Sequence, residues 1–294
     1  MRDDTNFSDA LRSILGLQRP NLSPPTTPHS LSDYLTQSPP KPPYSALNDF
    51  KLPISTKGIS LRIAPTPPKN ETELSSRISR DTKTLLSMKM QLIQAQKIPT
   101  PQEVAINEVK VIKTSVLHVD MRRSSDLLDI FDPIIALRVY KVFHAALVAT
   151  ARFKNGRVRT FAGDRIGVIF DLNKERPRSI AVETALLMEE MINNIVNPIL
   201  STNIKYEIEY GIGIDYGQMF VGKIGQSGTD NNDLAWVGKA MNTASKLADI
   251  PKPGIYITDS VFTGMLKNLK DSSMIWEKIN NSEYGIIHKW LLKV

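Results

Sequence analysis

Fourteen of the chain's nineteen prolines lie within residues 1–101, and this asymmetry restricts where a packed fold can form. The stretch from Pro20 to Lys69 carries Pro24-Pro25, Pro39-Pro40, Pro42-Pro43 and Pro67-Pro68 among Ser, Thr and Asn. Proline has no backbone donor and breaks both helices and strand ladders, so regular packed structure is not expected there. Residues 1–72 therefore read as an extended or disordered arm. The alternative is a polyproline-type segment that docks through Tyr34, Leu35 and Tyr44. Residues 73–98 read as a helix with Leu74, Ile78, Leu85, Leu86, Met88, Met90, Leu92 and Ile93, stopped by Pro99 and Pro101. That makes residues 73–109 an N-terminal helix and linker.

From residue 110 to the end the periodicity is that of a compact domain. Val111–Val119 reads as a strand. Asp132-Pro133 is an N-cap with proline at the first helical position, and Gly156 is placed to end the long helix that follows. Residues 157–162 and 165–170 read as strands around the Gly163-Asp164 turn, and 177–197 as a helix. Tyr206–Ile214 alternates as a half-buried strand, with a separate strand at 219–224 after Gly217. Residues 225–233 read as a polar loop, 239–250 as a helix, 254–258 as a strand, and the last 35 or so as a short helix and two strands. The order β-α-β-β-α-β with an added hairpin predicts a ferredoxin-like α+β sheet with helices on one face.

Composition narrows the chemistry. With no cysteine there is no disulfide, thiolate zinc site or cysteine nucleophile. No run of apolar residues reads as a membrane span and the first ten residues carry acids, so a soluble, cytoplasmic protein is expected. The formal charge of +7 is modest, and no basic cluster interleaves with aromatics, which argues against nucleic-acid binding. Part of that charge fits attraction of a triphosphate.

Asp120 ends the first domain strand and Asp164 tips the following hairpin. A ferredoxin-like sheet makes the first and third strands neighbours, which brings these carboxylates together. Paired carboxylates resist ionisation unless a cation neutralises them, and hard divalent ions bound by carboxylate and phosphate oxygens do so in phosphoryl-transfer sites.

Three segments carry a resemblance. Val116-Leu-His-Val-Asp120-Met-Arg-Arg-Ser-Ser125 resembles the strand and phosphate loop of class III nucleotidyl cyclases. Arg159-Thr-Phe-Ala-Gly163-Asp164-Arg-Ile-Gly is similar to their second metal motif. Trp236-Val-Gly238-Lys-Ala-Met-Asn242-Thr-Ala-Ser-Lys246-Leu resembles their Asn-x-Ala-Ser-Arg helix, preceded by the glycine-rich strand Gly211-Ile-Gly-Ile-Asp215-Tyr-Gly217. The resemblance spans residues ~110–260 and implies a homodimer with composite sites that cyclises a nucleoside triphosphate. It implies two divalent ions, Mn²⁺ or Mg²⁺, held by Asp120, Asp164 and the Met121 backbone carbonyl. It further implies phosphate binding by Arg122, Arg123, Ser124 and Ser125, with catalytic Asn242 and Lys246 supplied by the other subunit.

Three positions depart from the purine cyclases. Lys246 replaces their arginine, a point charge in place of a fork. Thr160 stands where they carry Lys or Glu, and Ala235 where adenylate cyclases carry Asp, so no charged pair is left to read a purine edge. Phe161 and Trp236 lie beside these positions and are candidates to narrow the pocket or stack on a base. The same features, including Asp120-Met-Arg-x-Ser124 and the lysine, resemble the bacterial pyrimidine cyclases of anti-phage (Pycsar) signalling. That branch implies cyclic UMP or cyclic CMP as product, sensed by a separate effector. The rivals are an adenylate cyclase with an atypical base pocket, and a degenerate cyclase domain serving as a nucleotide-binding or interaction module.

Overall fold

The computed structural model describes residues 66–171, 176–225, 232–270 and 275–291. The arm up to residue 65 and the polar loop at 226–231 lie outside the described residues.

Helix α1 (Glu71–Ser87) is capped by the Asn70 side chain, which accepts from the Glu73 N–H at 2.9 Å. None of its residues is buried. It stops well short of residue 98. Instead of continuing the helix, Gln91–Gln94 forms strand β1, parallel to the first residues of β2 (Glu108–Met121). A helix there would leave the β2 edge unpaired, whereas the strand satisfies it. Beyond it, Ile98 and Val104 are buried, so residues 91–104 are built into the domain rather than strung outside it as a linker.

Four residues form α2 (Leu127–Ile130), and then α3 (Pro133–Phe153) begins as expected. The Asp132 carboxylate accepts from the N–H groups of Ile134 and Ile135, and Pro133 takes the first helical position. By length and composition α3 is the one described helix that passes for a membrane span. In the fold its Ala136, Val139, Phe143, Leu147 and Ala151 are buried, as on a core helix. The reversal after it falls to Asn155, at φ 60°, rather than to Gly156. Gly156 opens strand β3 (Gly156–Ala162), where a Cβ would stand 2.7 Å from Val168 Cγ1.

Strand β4 (Arg165–Phe170) returns from the hairpin, and α4 (Pro177–Met191) runs through a π-helical turn into α5 (Asn197–Ile204). The two strands expected at 206–224 are a single strand, β5 (Tyr210–Gly225), because its ladder to β2 continues unbroken past Gly217. Strand β6 (Asn232–Val237) pairs back on residues 220–225 and occupies part of the expected loop. Then come α6 (Lys239–Ala248), β7 (Gly254–Thr258), α7 (Asp259–Gly264), β8 (Ile275–Asn281) and β9 (Gly285–Leu291). The sheet order is β3-β4-β2-β5-β7-β9-β8, with β1 attached to β2 and β6 to β5.

Strand alternation sends residues to two cores. Leu117, Val119, Ile166, Val168, Ile212 and Ile214 join Phe143 and Leu147 of α3 and Ala181, Ala185 and Met188 of α4. On the opposite face Ile112, Val116, Ile169, Met219 and Val221 join Trp236 and Ala240 and Ala244 of α6, with Ile98 and Val104. Helices therefore cover both faces, not one. The glycine strand is the reason: Gly211 and Gly213 leave no side chains between β5 and the α6 backbone.

Candidate active site

Asp120 lies at the end of β2, whose neighbour is β4, with Val119 opposite Ile166. The next pair along this ladder would set Asp120 against Arg165, beside Asp164 at the hairpin tip. The turn needs Gly163 at φ 63°. Burial holds the Asp120 carboxyl above its ordinary value; the Arg165 hydrogen bond and charge pull it back, and the neighbouring Asp164 and Asp249 push it up again. The two candidate metal carboxylates are thus electrostatic neighbours, as β2–β4 pairing predicts.

Asp120 is held by two guanidinium groups. Arg165 Nε donates to its Oδ1 at 3.1 Å, and Arg122 Nη1 lies 3.6 Å from Oδ2. Arg165 also donates to Ser245 Oγ at 2.7 Å and to the Asp249 carboxylate, both residues belonging to or ending α6. Arg122 donates to the carbonyls of Ala248 and Ile250, where it braces the C-terminus of α6 across Gly211. A carboxylate with this demand for positive charge suits a hard divalent cation. Among the described residues no three His, Asp or Glu side chains converge on one point. Backbone, solvent and substrate oxygens would complete an ion's shell around Asp120, Asp164 and the Met121 carbonyl.

The phosphate-loop candidates separate by burial. Arg122 is mostly buried and committed to α6, while Arg123 is exposed, at φ 54°, and pairs with Asp126 at 2.8 Å. Ser124 starts a tight turn up to Asp126, and Ser125 Oγ reaches Asp126 Oδ1 at 3.2 Å. Behind this loop a cavity of about 430 Å³ is lined by Arg122, Arg123, Glu189, Asn193, Tyr206 and Tyr210, and includes none of Asp120, Asp164, Thr160 or Asn242.

Asn242 and Lys246 stand one turn apart on the exposed side of α6. The buried side of this helix is formed by Ala240, Thr243, Ala244 and Leu247, so Asn242 stands apart from it. Lys246 Nζ pairs with Glu283 at 2.5 Å and lies 5.9 Å from the centre of the Tyr284 ring.

The base-pocket candidates divide between faces. Thr160 Oγ1 and the His118 ring crowd the space above Gly167, 2.2 and 2.8 Å from where a Cβ would stand. His118 shares the Asp120 face of β2, and both its ring nitrogens are buried without a hydrogen-bond partner. Burial, helped by the charge of Arg165, lowers its pKa to about 4, so the ring is neutral. Trp236 is a core residue far along that face, opposite Val221 and level with Lys110 rather than His118, sharing the second core with Val116 and Ile169. Phe161 points the other way: its exposed ring meets His144 of α3 edge-on at 5.8 Å. Ala235 is half-buried on β6 opposite Gly222. Sequence reasoning passed over His118, Arg165, Ser245 and Asp249. Only the two-residue step from His118 to Asp120, on one face of a strand, was a readable signal.

No family model matches the chain. It is 30% identical over 178 residues to a uridylate cyclase of Xanthomonas perforans, covering 59% of this chain and 75% of that protein. A uridylate cyclase of Burkholderia cepacia is 24% identical over 214 residues, covering 69% of this chain and 92% of its own. Among solved structures, the adenylyl cyclase CyaB from P. aeruginosa superposes with a TM-score of 0.55 at 18% identity, covering 64% of this chain and 97% of that one. The guanylyl cyclase Cya2 does so with 0.54 at 18% identity, covering 61% and 92%. The fold is therefore that of the class III cyclases, and with sequence similarity directed to their uridylate-cyclase members, the chain belongs to the pyrimidine cyclases of the class III nucleotidyl cyclase family.

Proposed function

We propose that this nucleotidyl cyclase converts UTP to 3′,5′-cyclic UMP and pyrophosphate. The ribose 3′-oxygen attacks the α-phosphorus, the bond to the β-phosphate oxygen breaks, and the 3′-hydroxyl proton is lost. The observation that carries this reading is the Asp120–Asp164 pair beside a neutral wall of Thr160 and His118. Purine cyclases use charged readers at the position of Thr160. A hydroxyl and a neutral imidazole instead offer one donor and one acceptor each to a pyrimidine edge. The naming of the curated relatives as uridylate cyclases supports UTP over CTP.

Asp120, Asp164 and the Met121 carbonyl would hold two divalent ions, Mn²⁺ or Mg²⁺. Such ions supply Lewis-acid polarisation of the 3′-hydroxyl and neutralisation of the triphosphate. Arg123, Ser124 and Ser125 would approach phosphate oxygens, Arg123 and Ser125 leaving Asp126 to do so, while Arg122 sets the loop by bracing α6. Asn242 orients the ribose and Lys246 offsets charge on the α-phosphate, both from the second subunit of a homodimer. Their exposure supports that assignment, as do the exposed apolar side chains of Leu128, Ile130, Ile134 and Leu137 around the loop. The unit we assign to catalysis begins near residue 91. We place the protein in the cytoplasm, where its product would reach a separate cyclic-nucleotide effector in anti-phage defence.

The test is incubation of the purified chain with ATP, GTP, CTP and UTP, singly and as an equimolar mixture, with Mn²⁺. Mass spectrometry should find cyclic UMP as the dominant product. Dominant cyclic CMP would move the assignment to CTP, dominant cyclic AMP would refute the pyrimidine reading, and no product from any of the four would favour the degenerate module.

A further inference from the structure

Arg165 joins three elements through one guanidinium. It leaves β4 next to Asp164 and donates from Nε to Asp120 on β2, from Nη1 to Ser245 on α6, and from Nη2 to Asp249 at the end of α6. Its side chain is 25% exposed and that of Asp120 15%, so this contact is shielded enough to matter. The Nε–H points at a carboxylate oxygen that a cation bound at Asp120 would need. An arginine does not shed its charge in a protein, so it can yield that oxygen only by moving.

We propose that Arg165 is a built-in counter-cation for Asp120, one that a divalent ion must displace. This rests on the reading that Asp120 and Asp164 hold divalent ions. The displacement is inexpensive because the guanidinium already has other partners: Ser245 and the 46%-exposed Asp249 remain bonded when Nε lets go. Arg122 does not act this way. Its Nη2 is fixed on the Ala248 and Ile250 carbonyls, and its approach to Asp120, at 3.6 Å, is a contact of charges rather than a hydrogen bond.

Arg165 is therefore a positioning residue with two consequences. While bonded to Asp120 it offsets the repulsion that Asp164 and Asp249 exert on that carboxylate. In either state it ties the metal edge of the sheet to α6, the helix that presents Asn242 and Lys246. Ser245 lies between these two in sequence, so a change at Asp120 is passed through Arg165 to the helix that serves the other composite site.

The experiment uses the full chain without nucleotide. Mn²⁺ binding is measured by electron paramagnetic resonance in wild type, Arg165→Gln, Arg165→Lys and Asp120→Asn. Arginine Nε–H signals are followed by NMR as diamagnetic Mg²⁺ is added to wild type and Asp120→Asn. We expect Arg165→Gln to bind Mn²⁺ about tenfold more tightly or better, because an opposing charge is removed. Arg165→Lys should stay near wild type. One arginine Nε–H signal absent from the Gln variant should shift with Mg²⁺ in wild type and not in Asp120→Asn. Asp120-dependent Mn²⁺ binding with unchanged or weaker affinity in Arg165→Gln, in a variant whose circular dichroism is native, would overturn the proposal. So would an unmoved Arg165 signal while Mg²⁺ binds. Mn²⁺ binding that is the same in wild type and Asp120→Asn would instead refute the metal assignment beneath it.

Discussion

Gly213 lies directly beneath the carbonyl of Ala244: a Cβ on this glycine would stand 2.1 Å from that oxygen and 2.5 Å from the Ala248 nitrogen. Its neighbour on the same face, Gly211, would meet the Ala248 carbonyl at 2.2 Å. The helix carrying Asn242 and Lys246 rests backbone-on-backbone against the central strand. These contacts are with main chain, which cannot rotate aside.

Gly213→Ala should therefore destabilise the fold by about 3 kcal/mol or more, since overpacking against a rigid wall is felt in full. Gly163→Ala is the control. That glycine has a left-handed φ of 63° but nothing within 4 Å of a Cβ. Only the conformational cost applies there, about 1–2 kcal/mol. Urea unfolding of the two variants should order them in this way, and equal losses would mean that the helix can slide on the sheet.

Local signals in the sequence were legible and non-local ones were not. Asp132-Pro133 marks the start of α3 because capping and a missing N–H act within one turn. The approach of Asp120 to Asp164 was legible because it follows from strand order alone. Strand β1 was hidden: Leu92 and Ile93 suit a helix as well as a strand, and only pairing to residues 108–111 decides between them. Strand β6 was hidden for the same reason, as only its pairing to 220–225 identifies it. The side of the sheet taken by α6 was written in Gly211 and Gly213, two residues apart on one face, but read only as a family motif. Arg165 carries no periodic signal, and its partners come from β2 and from α6 with its C-terminal cap.

Glu189 gives a stability signature with a definite sign. It is 6% exposed and accepts from the Tyr210 hydroxyl at 3.1 Å. Burial pushes its carboxyl up to about 7 from the ordinary 4.5, against the lowering effect of the Tyr210 and Trp290 hydrogen bonds. Below 4.5 the group is protonated in both states and its contribution to folding is complete. As pH rises through 4.5 towards 7 the unfolded chain ionises first, so stability is lost across that window, on the order of 3 kcal/mol. Glu189→Gln keeps an acceptor for Tyr210 without the ionisation. Unfolding free energies from pH 4.5 to 8 should show wild type declining relative to Glu189→Gln, and parallel curves would refute the assignment.

The N-terminal boundary is testable by length. Helix α1 buries no residue, so a chain starting at Met88 should unfold at the same temperature as the full chain. A chain starting at Ala105 lacks β1, Ile98 and Val104. Each of those two side chains is worth about 1.5–3 kcal/mol when buried, and their removal uncovers Trp236. The shorter chain should melt far earlier or fail to fold. Equal melting of all three lengths would exclude residues 91–104 from the domain core.

Asn242 and Lys246 face outward, away from the buried side of α6, while Asp120 is drawn inward by Arg165 and Arg122. One chain thus presents the two halves of a site in different settings, and this is the arrangement a two-fold dimer can use twice. If the reading is right, Asp120→Asn and Asn242→Ala homodimers are each nearly inactive, because every site in them lacks one half. In a mixed dimer one site receives both lesions and the other receives neither. Random exchange makes about half the dimers mixed, so about a quarter of wild-type activity should return on mixing. The measurement is cyclic-nucleotide formation before and after subunit exchange, with mixed dimers verified by native mass spectrometry. Mixed dimers that form and remain inactive would mean that Asn242 acts on the Asp120 of its own chain, and the site would then have to be rebuilt within a single subunit.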